Sequence, residues 1–260
     1  MRDHRPATDP PHFRLYGAYP GTEPAVFPAD AFPWVEVLRR NWTVIRAEFE
    51  DYVGRQGRAL PANFVPDAVD VTGWKGVTLF TCLRRYRANC CDFPRTTAIL
   101  ESIPEIVSAF VNLLEPHAEL PAHYGDSNLF HRAHLGLIVP GGVEACGMDV
   151  DGTRLGWEEG GVFVFNDARR HVVWNRSDRP RVVLVCDVMK PQYGHATPRA
   201  CGRVLGTIAV TLLQARLPGL RRLPPRGLRA LHACVSAPFQ AYLTLFGMRP
   251  RRRPAGASTG

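Results

Sequence analysis

Between Glu105 and Val188 the chain breaks into short β-rich runs, each bounded by turn-forming residues, and this pattern limits the fold more than any other feature. The runs are Ile106–Leu114, Ala133–Val139, Glu144–Val150, Gly161–Phe165, His171–Trp174 and Arg181–Val188. Pro140-Gly141-Gly142, Asp151-Gly152, Gly160-Gly161, Asn166-Asp167 and Asn175–Pro180 separate them. Val, Ile and Phe fit a pleated, half-buried surface, and Asp-Gly is a strong hairpin signal. Many short strands with regular turns predict a sandwich or small barrel of the jelly-roll kind.

The segment ahead of the strands is helical in period. Val35, Leu38, Trp42, Ile45, Phe49 and Tyr52 recur at spacings that place all six on one face. Asp30 is the expected N-cap of that helix. A second, short helix is expected over Pro94–Ser102, closed by Ile103-Pro104. Both would buttress one sheet of the barrel. The expected organisation is an irregular lead-in over 1–30, a β domain over 31–190 and a basic, apolar, helical extension over 191–260.

Charge sets that extension apart. From Pro191 to Gly260 there are eleven Arg and no Lys, Asp or Glu, whereas residues 1–190 carry 21 basic and 24 acidic residues, a balance of −3. Lys75 and Lys190 are the only lysines, so a preference for Arg is general, but such a preference does not remove acids. Such a tail predicts an anionic partner. Val204–Leu213 is an apolar run too short to span a bilayer, and Ala230–Gly247 is interrupted by His232, Pro238 and Gln240. Apolar runs interleaved with Arg predict interfacial helices on an anionic membrane; a helical pair packed on the barrel or on a second subunit is the alternative. Nucleic acid is disfavoured because the tail is aliphatic and offers no stacking platform. The N-terminal MRDHRPATDPPHF has no apolar segment, so no signal peptide is expected. Seven Cys, an odd number without zinc-site spacing, predict reduced thiols. The expected location is the cytoplasm, with peripheral attachment to a membrane.

Two histidines carry the first chemical expectation. His123 lies in His-Tyr-Gly-Asp-Ser-Asn, read as a loop before a strand, and His171 opens His-Val-Val-Trp. In a jelly roll, residues far apart in sequence meet at the barrel mouth, where two neutral imidazoles could hold Fe(II). A carboxylate two residues after the first His would complete a facial triad, but Gly125 stands there. Asp126 would point the other way in an extended segment. Arg132 and His134 share a strand face and can both donate to a carboxylate. Arg181 opens an apolar strand and needs an anion if buried, which a dicarboxylate such as 2-oxoglutarate would supply; exposure at a strand edge is the bland alternative.

Residues 123–190 resemble the catalytic core of the aspartyl/asparaginyl β-hydroxylase family. The matching pieces are HYGDSN (123–128), RAHLGLIVP (132–140), WEEG (157–160), VFVFND (162–167), HVVWN (171–175) and RVVLVCDV (181–188), in the family's order. Weaker similarity runs through FPWVEVLRRNWTVIRAEF (32–49), GWKGVTLF (73–80) and NLLEPHAELPAH (112–123). The resemblance implies a double-stranded β-helix core and an Fe(II)- and 2-oxoglutarate-dependent dioxygenase that uses O2 to hydroxylate an unactivated C–H bond. By resemblance, His123 and His171 are the metal ligands, with no further catalytic residue. Arg181 anchors the distal carboxylate of 2-oxoglutarate, Arg132 and His134 contact the cosubstrate, and Trp74 lines the same pocket. Asn112 stands where animal members have a Ser that assists the Arg, and it retains a hydrogen-bond donor. Animal members share the Gly at position 125 and use two protein ligands. The implied substrate is the β-carbon of an Asp or Asn residue or a related amino acid; an acyl chain at a membrane surface is the alternative. An iron halogenase, with chloride in the vacant ligand position, and a non-catalytic jelly-roll binding protein are the rival readings.

Overall fold

The computed structural model describes residues 9–56, 60–62 and 73–251, and in it the β-rich runs close into two antiparallel sheets. In chain order the elements are β1 (Val26–Phe27), α1 (Val35–Gln56), β2 (Trp74–Thr81), β3 (Arg84–Arg85), α2 (Arg87–Asp92), α3 (Pro94–Glu101), β4 (Ile106–Leu114) and β5 (Ala118–His123). They continue with β6 (Phe130–Ile138), β7 (Cys146–Val150), β8 (Thr153–Gly156), β9 (Val162–Phe165), β10 (His171–Asn175), β11 (Arg181–Met189), α4 (Thr197–Arg216) and α5 (Pro225–Phe246). The larger sheet has the order β1-β9-β6-β11-β4-β2-β3 and the smaller β5-β10-β7-β8. The chain is therefore mainly β, a jelly roll of the double-stranded β-helix kind with flanking and C-terminal helices.

β11 is the organising strand. It pairs with β4 on one side and β6 on the other, and all nine of its residues are buried. Side chains alternate along a strand. Val182, Leu184, Cys186 and Val188 face outward into a cluster with Leu38, Ile45 and Phe49 of α1, while Val183 and Val185 face inward toward Met148, Val150 and Val173 of the smaller sheet. Arg181 and Asp187 fall on the inward face with Val183 and Val185, which places two charged residues inside the barrel.

The predicted strands all form, and the expected Asp151-Gly152 turn is a two-residue hairpin with both residues at positive φ (51° and 87°), the geometry that favours this dipeptide. All six residues of the helical stripe pack on the outer cluster. Three expectations need correction. Asp30 is not the cap of α1: it lies in a short 3-10 turn five residues earlier, and its carboxylate accepts from Arg39. β2, β5, β8 and α2 were not anticipated as regular elements. His123 is not in a loop but ends β5, an edge strand whose Pro121 breaks the β pattern yet is tolerated where no partner needs its N–H.

The C-terminal helices form an antiparallel hairpin. A Cβ on Gly206 would lie 2.1 Å from Ser236 Oγ, and one on Gly202 would lie 2.8 Å from Gln240 N, so the two backbones approach closely only because α4 has glycine there. Cys201 and Val204 of α4 and Leu243 of α5 pack on Phe13, Leu83, Val107, Phe130 and Met189 at one end of the barrel. No described helix is long and apolar enough to cross a membrane.

The outer cluster should carry much of the stability. Leu38 is fully buried, so Leu38→Ala should cost about 2–5 kcal/mol, read as a lower urea midpoint with an unchanged slope. A loss under about 0.5 kcal/mol, the size of an exposed substitution, would contradict this packing.

Candidate metal and cosubstrate site

β5 and β10 are neighbours in the smaller sheet, and their register sets His123 opposite His171. The two rings lie 4.1 Å apart between centroids. Each ring is fixed by a carbonyl two residues earlier: His123 Nδ1 is 2.8 Å from Pro121 O, and His171 Nδ1 is 2.9 Å from Arg169 O. A carbonyl only accepts, so each Nδ1 carries the proton and each Nε2 of the neutral ring presents a lone pair. Burial lowers the pKa of both, His171 far more than His123, and the positive field of each neighbouring cation adds to it. Two neutral imidazoles with bare, adjacent Nε2 atoms are a divalent-metal donor pair. Among the described residues no three His, Cys, Asp or Glu side chains converge as a ligand set.

Asp167 stands where a third ligand would be expected. A Cβ on Gly125 would lie 1.6 Å from Asp167 Oδ2, so this carboxylate, reaching over from the β9–β10 turn, fills the space that a side chain at 125 would take. Its Oδ1 is buried, faces the Arg132 guanidinium and lies 3.6 Å from His171 Nε2. The cation beside that oxygen is the Arg132 guanidinium. Arg132 holds this charge in balance. Its Nε and Nη2 donate to the two oxygens of Asp187 at 2.7 and 2.9 Å, and Nη1 lies 2.6 Å from Asp167 Oδ1. Burial pulls the Arg132 pKa down, but the two carboxylates outweigh it and hold the guanidinium charged. Arg132 is thus committed first to two aspartates, and any cosubstrate would share it with them. Asp126 points away from the imidazoles and pairs with Arg14 at 3.1 Å.

Deeper in the barrel, Arg181 has the opposite situation. It is 2% exposed, its Nε has no partner, and no ion pair reaches it among the described residues. Its guanidinium lies 4.5 Å from the centre of the Trp157 ring, and desolvation lowers its pKa to about 10. The exposed-edge alternative is excluded by that burial. His134 lies between the two groups: burial drives its pKa well down, and the charges of Arg181, Arg132 and His171 all act in the same direction. Trp157, Phe163 and Phe165 surround its ring. Asn112, also buried, sits opposite Val183 on the inward face of β4.

A cavity of about 410 Å³ opens beside His123, lined by Trp74, Phe110, Leu120, Arg132 and Asp167 together with Val204 and Ile208 of α4. The buried Trp74 indole N–H has no hydrogen-bond partner among the described residues. His171, His134, Arg181 and Asn112 do not line this cavity; they lie behind it in the barrel. The sequence reading missed Asp167, Asp187 and Trp157. An acid inside the apolar run of β11 demands a buried partner by the same reasoning as Arg181, so Asp187 was detectable; Asp167 was noticed only as a turn residue.

The sequence profile of the aspartyl/asparaginyl β-hydroxylase family matches residues 39–191, more than half of the chain. The chain belongs to this family. The ornithine lipid ester-linked acyl 2-hydroxylase of Rhizobium tropici is 36% identical over 174 residues, which are 65% of this chain and 61% of that protein. The human aspartyl/asparaginyl β-hydroxylase is 30% identical over 164 residues, 61% of this chain and 21% of its own length. The human aspartate β-hydroxylase domain-containing protein 2 is 31% identical over 179 residues, 64% of this chain and 47% of that one. This chain therefore spans less than two thirds of the length of each of these relatives. Among solved structures, the Schizosaccharomyces pombe Cnp3 cupin domain is similar at a TM-score of 0.32 and 13% identity, over 51% of this chain and 77% of that one.

A buried guanidinium without an anion destabilises the empty protein. Arg181→Met should leave the melting temperature of the ligand-free protein unchanged or raised. It should also abolish any rise in melting temperature on addition of millimolar 2-oxoglutarate with Fe(II) under argon. A variant that melts lower yet keeps that rise would show that Arg181 is held by the fold and not by a ligand.

Proposed function

We propose that this family member is an Fe(II)- and 2-oxoglutarate-dependent hydroxylase acting on the acyl chain of a lipid. The observation that carries the cofactor part is the pairing, in one barrel, of two imidazoles with pinned Nδ1 atoms and a buried arginine that lacks an anion. In this reading His123 and His171 hold the metal through Nε2. Arg181 takes the distal carboxylate of 2-oxoglutarate in bidentate fashion, with Asn112 beside it. Neutral His134 orients the cosubstrate between them. Bound iron supplies O2 activation coupled to decarboxylation of the cosubstrate to succinate.

The remaining residues tune that site. Asp167 places a carboxylate next to the metal position, and Arg132 keeps its charge compensated. Trp157, Phe163 and Phe165 line the interior and exclude bulk water, so a reactive centre there would oxidise substrate and not solvent. The cavity beside His123 is the place for the substrate. Its wall of Phe110, Leu120, Phe130, Val204 and Ile208 suits a hydrocarbon chain. The similarity to the Rhizobium tropici acyl 2-hydroxylase supports the same substrate class. The β-carbon of an Asp or Asn residue is the second reading, favoured by the human relative and by the cations Arg14 and Arg132 at the same cavity.

Incubation of the Fe(II)-loaded protein with 2-oxoglutarate, oxygen-18 gas and either a bacterial lipid extract or Asp- and Asn-containing peptides separates these readings by mass spectrometry. One labelled oxygen should enter a lipid acyl chain, with succinate formed in equal amount, and His171→Ala should abolish both. Label in the peptides alone would reject the acyl assignment. Succinate and product formation by His171→Ala at limiting iron would reject the metal assignment.

A further inference from the structure

The outward face of α5 is apolar from end to end and is bracketed by arginine. Ala233, Ala237, Ala241 and Tyr242 lie on it at helical spacing, and all are exposed. Tyr242, Leu245 and Phe246 are 48, 69 and 72% exposed, the last two being the most exposed large apolar residues described. No charged residue occurs between Arg229 and Arg249. Arg226 and Arg229 stand before this stretch and Arg249 and Arg251 after it, all exposed. The seventeen residues from Ala230 to Phe246 cover about 26 Å at the usual helical rise. The α4–α5 turn adds exposed Leu217 beside Arg216, Arg221 and Arg222. None of the arginines at the turn or at either end of α5 forms an ion pair among the described residues.

We propose that this face is a membrane-docking surface, with α5 lying in the plane of an anionic bilayer. An apolar stripe with cations at its ends buries its side chains among acyl chains and leaves the guanidinium groups at the phosphates. Three other occupants fit less well. A bilayer-spanning role is excluded for the described helices by length and hydropathy. Nucleic acid would leave the apolar stretch between the arginines uncovered. A second copy meets a charge conflict. A two-fold pairing of this face, parallel or antiparallel, sets arginines at one end of α5 against arginines of the other copy. Neither α4 nor α5 carries an acid to relieve them.

The docking face also connects to the site. α4 is sandwiched: Gly202 and Gly206 abut α5, while Val204 and Ile208, on its other side, line the cavity beside His123. Leu212 continues the line of Val204 and Ile208 toward the exposed turn. The same hairpin thus contributes a wall of the cavity and the surface that would meet the lipid. Docking rests on the surface alone and would stand even if the acyl-substrate reading fell.

The test is flotation of the full chain with vesicles of phosphatidylcholine alone or mixed with phosphatidylglycerol. Wild type should float with the anionic vesicles at least about tenfold more than with the neutral ones, and less as salt rises. Leu245→Glu/Phe246→Glu should lose that binding, and so, independently, should Arg226→Glu/Arg229→Glu. Circular dichroism melting identifies any variant that fails to fold, and the other pair then decides. Iron and 2-oxoglutarate binding, measured without vesicles, should be unchanged in both, which separates this inference from the proposed activity. Equal flotation of wild type and the folded variants would overturn it. So would a dimer in sedimentation equilibrium that Leu245→Glu/Phe246→Glu dissolves.

Discussion

A buried guanidinium with no ion pair among the described residues is the constraint around which the barrel interior is arranged. Arg181 sits on the inward face of the central strand, where desolvation disfavours its charge and no carboxylate among the described residues offsets the cost. The fold tolerates it because β11 is held from both sides and packed on α1, so the strand cannot shift to expose it. Trp157 supplies a ring face in place of an anion. At the other end of the same strand face, Asp187 accepts two hydrogen bonds from Arg132. The contrast is between one charge paired within the protein and one with no ion pair among the described residues.

The imidazole pair obeys the same logic of incomplete satisfaction. Each ring spends its Nδ1 proton on a carbonyl from its own segment, so the ring orientation is set locally, and the sheet register then brings the two rings together. The vacancy at Gly125 is not empty space, since the Asp167 carboxylate enters it from another strand junction. A two-histidine site with a neighbouring carboxylate, and not a three-ligand triad, follows from that substitution of one chain segment for another. The C-terminal hairpin closes the cavity from outside the matched family region, which ends at residue 191.

The sequence carried the barrel clearly where strands alternate or run apolar between Gly, Pro and Asn-Asp turns, as in β4, β6, β10 and β11. It concealed β5 and β8. β5 holds Pro121 and Glu119 on an edge, and β8 is short and exposed, so neither buries enough to show a period. The expected N-cap failed because α1 starts behind an extra 3-10 turn that no local signal announces. His171 and Arg181 were legible as chemistry because each is a polar group opening an apolar strand, whereas His123 was legible only through the HYGDSN segment that carries it. Asp167 was not, because its role depends on a close approach to Gly125 across 42 residues of chain, a contact that only the folded topology creates.

We propose above all that this barrel binds a divalent iron and a 2-oxo dicarboxylate together, through His123, His171 and Arg181. Visible absorption under argon tests it directly. Fe(II) and 2-oxoglutarate added together should produce a lilac charge-transfer band that saturates at one cosubstrate per chain. Neither component alone should give it, and Arg181→Met should require far more 2-oxoglutarate to reach it. A protein that stays colourless with both present, or an Arg181→Met variant that titrates like wild type, would contradict the account.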